Sequence, residues 1–137
     1  MKIFIIDTYY PNFLNSIRTK IPNLKNESYK IQHQFLLNKH FGTSNYYSNN
    51  LKKLGHQAED VIINDEILMR KWAQENGVKL TGSTLLSKIQ MLPLLYRFIG
   101  RPKWIQQVAL AFIAKIKPDV LYLQNLTILE SDTLKKA

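Results

Sequence analysis

The first seven residues, Met1-Lys-Ile-Phe-Ile-Ile-Asp7, constrain the fold more than any other stretch of the chain. A short apolar run, rich in β-branched residues and closed by an acid, reads as a strand buried on both faces, as in a parallel sheet. In open α/β sheets the carboxyl ends of the strands face the ligand crevice. Asp7 and the polar turn behind it, Thr8-Tyr9-Tyr10-Pro11-Asn12, are therefore expected at a binding edge. Many α/β domains open this way, so the strand sets a class and not a reaction.

Downstream the pattern alternates. A long excursion from Thr8 to Thr43 contains Pro11 and Pro22, then a helix capped by Ser28 and running through Phe35 to Phe41, ended by Gly42. A βα loop is usually two to six residues, and a large insertion at a ligand edge usually carries recognition. Thr43 or Ser44 caps the next helix, with Tyr47, Leu51 and Leu54 spaced to face the sheet and Gly55 at its end. His56 to Asn64 reads as a second strand, and Asn64 or Asp65 caps a helix closed at Asn76-Gly77. An apolar helix is expected from Thr84 to about Ile99, broken near Pro93. Ile105, Val108, Ala109, Phe112, Ile113 and Ile116 make an apolar stripe at helical period after Pro102. Lys117-Pro118 stops that helix, Asp119 to Gln124 is a third buried strand, and Ser131 caps a last helix.

The expected fold is thus α/β: a Rossmann-like parallel sheet flanked by helices, in a single domain over residues 1–137 with a helical insertion at about 9–42. With strand order 2-1-3, the switch point lies above Asp7 and Gln124. Three strands with two open edges are a poor stopping place for a sheet. The chain is therefore read as the front part of a longer protein or half of a Rossmann-like domain.

Composition narrows the partners. The 137 residues carry 19 basic and 10 acidic side chains, a formal net charge of +9, and no cysteine. Disulfides, thiolate metal sites and a cysteine nucleophile are excluded. The excess of cations favours anionic partners, although a lysine-rich background composition explains it equally well. The apolar start is too short for a signal peptide, and no stretch reaches the roughly 18 apolar residues of a spanning helix. A cytoplasmic protein is expected, peripheral to the inner membrane face if it touches a membrane at all. Nucleic acid is a poor fit, since no basic stripe or paired stacking aromatics appear.

Four groups of residues invite a functional reading. Gly42-Thr43-Ser44-Asn45 opens a helix, where free N–H groups favour an anion, or is an ordinary cap after a glycine. The Gly-Lys-Ser/Thr ending of a Walker loop is absent. Asp7 suits a general base or an acceptor ligand, and also a turn cap; Gln124 and Asn125 suit sugar hydroxyls, and also a turn. Arg97, Arg101, Lys103 and Trp104, beside Tyr96, resemble a seat on an anionic bilayer, or a solvated helix junction. His33 and His40 are read as solvated helix residues, and neither a metal nor a cofactor is expected.

The run from Phe41 through Gly42-Thr-Ser-Asn and Leu54-Gly-His56 to Val61 resembles the first helix and second strand of GT-B glycosyltransferases. Lys117-Pro-Asp-Val-Leu-Tyr-Leu-Gln124 resembles a later strand of the same N-terminal domain, and Ile6-Asp-Thr-Tyr-Tyr-Pro11 resembles the opening of a group of bacterial and archaeal members. With Met1 to Asp7, these segments match in order across nearly the whole chain. The resemblance implies the acceptor-side part of an enzyme that moves a sugar from a nucleotide-sugar donor to a glycan or lipid-linked acceptor. The donor would sit in a C-terminal domain not contained in this chain, which alone would be inactive. On that reading Asp7, Thr8, Gly42, Thr43, Ser44, Asn45, Gln124 and Asn125 face substrate, with Asp7 the candidate catalytic group. The family's doubled glycine and its strand-end histidine are replaced here by the lone Gly42 and by Gln124-Asn125. The alternative is a non-enzymatic α/β binding or regulatory module; a phosphoacceptor receiver is disfavoured because Asp7 has no acidic neighbour.

Overall fold

A computed structural model describes residues 1–82 and 101–137. Strand β1 (Lys2–Asp7) lies between β2 (Gln57–Ile62) and β3 (Val120–Leu123), all parallel, in the order β2-β1-β3. Register aligns Ile5 with Asp60 and with Tyr122. The third strand lies on the far side of the first, which gives the order 2-1-3 and makes β1 the central strand. The helix expected over 84–99 lies outside the described residues, as do Tyr96 and Arg97.

Between β1 and β2 run α1 (Pro11–Lys20), a 3-10 turn (Pro22–Asn26), α2 (Tyr29–Leu37) and α3 (Tyr46–Lys53). Between β2 and β3 lie α4 (Glu66–Glu75) and α5 (Lys103–Ile116), and α6 (Ser131–Leu134) follows β3. In the order 2-1-3 the chain leaves β1 in one direction and returns past it in the other. Right-handed crossovers place α3 on one face and α4 and α5 on the other, and α1 and α2 of the insertion pack on the α4–α5 side.

Alternation along each strand sorts the side chains between those faces. Phe4, Ile6 and Val61 join the main core, where Phe112 of α5 stacks on Phe4 at 5.6 Å and on Trp72 of α4 at 3.7 Å. Ile3, Ile5 and Ala58 point to the other face and form a small cluster with Leu51 of α3. All six residues of the α5 stripe behave as expected, Ile116 being the partly exposed member.

Several expectations are corrected. The segment after Tyr10 forms α1, because Pro11 is preset for the first helical turn and Leu14 and Ile17 bury one side. Ser28 does cap α2, accepting from Ile31 N, but the helix ends at Leu37 and not at Phe41. Three-residue turn bonds from Lys39 and His40 tighten its end, and His40, Gly42 and Ser44 all take left-handed φ angles of 51°, 59° and 46°. Helix α3 starts at Tyr46 behind Asn45, whose side chain makes no cap bond, and neither Thr43 nor Ser44 caps it. Of its three expected inward residues Leu51 is packed on the sheet, Tyr47 meets the ring of Tyr122 on β3 at 5.6 Å while staying exposed, and Leu54 is exposed; Ser48 is buried as well. The polar Asp60 beneath the helix accounts for that choice. Glu130, and not Ser131, occupies the cap position of α6.

The edges also differ from expectation. β3 is not buried: Val120 and Tyr122 are each about 40% exposed on the α3 face. Two open edges were expected and β2 and β3 are the outer strands of an open sheet; on the β2 side an imidazole nitrogen of His33 meets the Asp60 backbone, whose carbonyl points away from β1. Helix α2 thus reaches the outer edge of β2. A hidden ion pair ties the insertion to the sheet: Arg18 Nη2 donates to Asp65 at 2.5 Å, Nη1 to Gln32 at 2.8 Å, and Asp65 also caps α4 at Leu68 N.

Candidate functional site

The carboxyl ends of β1 and β3 open onto a cleft of about 420 Å³ lined by Asp7, Thr8, Tyr9, Tyr10, Phe41, Gly42, Thr43 and Gln124. That volume lies within the roughly 300–1,000 Å³ range of small-ligand sites. Five expected substrate residues, Asp7, Thr8, Gly42, Thr43 and Gln124, therefore share one cleft although residues 8 and 124 are far apart in sequence.

Its polar floor is a network. Thr8 N donates to Asp7 Oδ1 at 2.6 Å, and Thr43 Oγ1 lies 2.8 Å from Gln124 Oε1 with the Asp7 carboxyl on its other side. One hydroxyl proton serves only one of those two acceptors at a time. Gln124 Nε2 is buried and has no partner; whichever way the amide is turned, one of its polar atoms is left over. Burial raises the Asp7 carboxyl above the ordinary carboxylate value, against the bonds from Thr8 and Thr43. A carboxylate raised by desolvation is a better proton acceptor near neutrality than a solvated one.

The first two backbone N–H groups after β1 are already committed. Thr8 N is used by Asp7, and Tyr9 N donates to Asn64 Oδ1 at 2.9 Å while Asn64 Nδ2 returns a bond to Tyr9 O at 2.7 Å. A phosphate-binding loop keeps such N–H groups free for its ligand. Here they are spent.

Behind the cleft lies a second, deeper polar layer. The Asp60 side chain is 4% exposed, and its Oδ1 has no partner. Its pKa is pushed up to about 6, first by desolvation and further by Asp7 and Glu59, with Ser48 and Lys52 opposing. The Ser48 hydroxyl lies between that carboxyl and the Asn45 carbonyl, 3.3 Å from the latter. Burial also holds the Tyr9 phenol up at about 12; it faces Ser44, Asp7 and Asp60, but Ser44 Oγ donates to Leu37 O at 2.5 Å.

Ser44 and Asn45 fall in a neighbouring cleft of about 440 Å³ that shares Gly42 and Thr43 with the first and adds His40 and Lys53. Ser44 is buried and committed to Leu37, so it cannot offer its hydroxyl to a ligand there. Asn125 is a turn residue: its Oδ1 accepts from Thr127 N and Oγ1, and its Nδ2 donates to Thr8 Oγ1 at 3.3 Å. The bilayer seat loses its anchor, because Trp104 is 1% exposed and packs in the main core. Lys103 is exposed, and Arg101 N donates to Glu130 at 3.0 Å.

His33 is not a solvated helix residue. It stacks on Tyr29 with ring centroids 5.2 Å apart, and burial lowers its pKa to about 4. Among the described residues no group of three or more metal-ligating side chains converges, and no helix is long and apolar enough to cross a membrane. The sequence placed Tyr10 at a binding edge only as one member of the turn, and it missed Phe41 as a cleft wall and Asn64 as the latch on that turn. Only Tyr9-Tyr10-Pro11 carried a cue, since proline favours a helix start and so places the tyrosine before it at a cap. No protein-family model, no curated protein and no solved structure matches this chain.

Proposed function

We propose that this chain is the acceptor-side unit of a GT-B glycosyltransferase, with the acceptor sugar in the cleft between β1 and β3. The observation that carries this reading is the Asp7–Thr43–Gln124 network on the floor of the cleft, beside a strand end whose Thr8 and Tyr9 N–H groups are already used. A carboxylate beside side-chain amide and hydroxyl groups suits neutral hydroxyls, which both donate and accept, and disfavours a diphosphate. The ordered resemblance of residues 1–7, 41–61 and 117–124 to the N-terminal domain of that family supports the same division of labour. On it, an acceptor hydroxyl attacks the anomeric carbon of a donor sugar held by a second domain. The bond from sugar to nucleotide diphosphate breaks, and Asp7 takes the hydroxyl proton.

The test is a heteronuclear NMR titration of the 137-residue chain with methyl glycosides, nucleotide sugars and inorganic phosphate. Saccharides are expected to move the Thr8 and Thr43 amides and the Gln124 side-chain amide, with weaker effects in Asp7→Asn and Gln124→Met. Micromolar binding of a nucleotide sugar in this cleft, worth about 8 kcal/mol, overturns the division of labour. Binding of a non-saccharide ligand alone favours an α/β binding module without transferase chemistry.

A further inference from the structure

Tyr10 is 73% exposed, an unusual position for a large ring that lines a cleft. It is nonetheless fixed. Its backbone is the cap of α1, with its carbonyl accepting from Phe13 N at 3.0 Å and Leu14 N at 3.1 Å. Its ring stands edge-on to Phe41 at 5.5 Å. Phe41 in turn stacks on Phe13 at 4.1 Å and leans on Tyr9 at 5.1 Å. Three buried or half-buried rings thus brace one exposed ring at the cleft mouth.

We infer that Tyr10 is a stacking platform, and that the cleft takes a pyranose ring with one apolar face rather than an open-chain polyol. This rests on the proposed acceptor site and adds what shape of ligand it selects. The cleft is two-sided in chemistry: Tyr10 and Phe41 form an apolar wall, and Asp7, Thr8, Thr43 and Gln124 form a polar floor. A pyranose presents the matching pair, hydroxyls around its edge and a patch of axial C–H groups on one face. Those C–H groups are weakly positive and meet the negative face of an aromatic ring favourably. A flat nucleobase also stacks, but its phosphates would face the Asp7 carboxylate, with Thr8 N and Tyr9 N already used. A linear polyol matches the floor and gains nothing from the wall.

The experiment titrates the chain and its Tyr10→Ala, Tyr10→Phe and Tyr10→Trp variants with a methyl pyranoside and with sorbitol. Binding and upfield ring-current shifts of the sugar protons are read by NMR. The platform predicts upfield shifts on one face of the pyranoside and about a tenfold affinity loss in Tyr10→Ala, equivalent to about 1.4 kcal/mol. Affinity is retained in Tyr10→Phe and is equal or better in Tyr10→Trp, with sorbitol unaffected by any of them. A pyranoside that moves Gln124 yet binds Tyr10→Ala as well as the parent overturns the platform and leaves the acceptor site standing. Failure of every saccharide to bind overturns both.

Discussion

On one face of the sheet Phe112 is clasped by Phe4, Trp72 and Tyr29, in a core that draws on α1, α2, α4 and α5. On the other, α3 is the helix that covers the strands among the described residues, and only Leu51 joins Ile3, Ile5 and Ala58 beneath it. Beside them that second face carries the half-exposed Val120 and Tyr122 of β3, and then turns polar: Asp60 under Ser48, then Asp7, then the cleft. Burying apolar area stabilises, whereas burying a carboxylate costs unless it is fully paired. The first face therefore holds the fold, and the second spends part of that stability on groups with unsatisfied valences.

The largest difference is expected from truncating each core. Phe112→Ala should cost about 3–5 kcal/mol, whereas Leu51→Ala, at a half-buried site, should cost about 2 kcal/mol or less. Urea unfolding of the two variants measures both; equal losses erase the contrast between the faces.

Next comes the ion pair beside the first face. Asp65→Ala removes the α4 cap and leaves the Arg18 guanidinium, 12% exposed, without its carboxylate. A loss of about 3–5 kcal/mol is expected, against about 1–2 kcal/mol for the paired change Arg18→Met with Asp65→Leu. A double-mutant cycle by denaturant titration decides it.

A third test uses proton linkage, because the two sides titrate in opposite senses. Asp60 has a folded pKa of about 6, above its ordinary 3.8, so its stability is full below pH 3.8 and is lost as pH rises through about 6. His33 has a folded pKa of about 4, below its ordinary 6.5, so its contribution is full above pH 6.5 and is lost as pH falls toward 4. In the parent these two terms oppose each other between pH 4 and 6.5, and the raised Asp7 and Glu59 carboxyls add to the loss on alkalinisation. Asp60→Asn should lose stability steeply on acidification and His33→Gln on alkalinisation, each by on the order of 2 kcal/mol. Thermal melts across that window, showing the same slope in all three proteins, would remove the opposition.

The smallest effect is local. Ser28→Ala should cost about 0.5–1 kcal/mol through the lost cap on α2, with the cleft unchanged. A greater loss, read in the same melts, would mean that α2 matters to the edge of β2 more than one imidazole contact suggests.

The order and direction of the strands were legible because a run such as Ile3-Phe4-Ile5-Ile6 has one stable use, in the middle of a sheet. The α5 stripe was legible for the same reason: six apolar residues at one period leave one face to bury. Asp7, Thr43 and Gln124 could be placed together because a parallel sheet aligns its strand ends. The first half of the insertion was not legible, since α1 has only Leu14 and Ile17 buried and its stability comes from tertiary contacts and the Arg18–Asp65 pair. Trp104 misled because a basic and aromatic neighbourhood looks the same whether its ring points into a core or a bilayer. The cleft wall was hidden because Phe41 stands between two left-handed residues, His40 and Gly42, in a backbone path that spacing does not encode.

The position of β1 also sets the tempo of folding. The strand made first is the one that needs partners on both sides, and those partners arrive at Gln57 and at Val120. The bond from Lys2 N to Asp119 Oδ2 closes a separation of 117 residues. Loop closure must precede such contacts, so a topology of this kind folds more slowly than a helical bundle of equal length. On a ribosome, where synthesis runs at roughly 5–20 residues per second, Ile3 to Ile6 would wait many seconds with one flank bare. A chaperone that recognises a short run of branched apolar side chains would find its target in β1 during that wait.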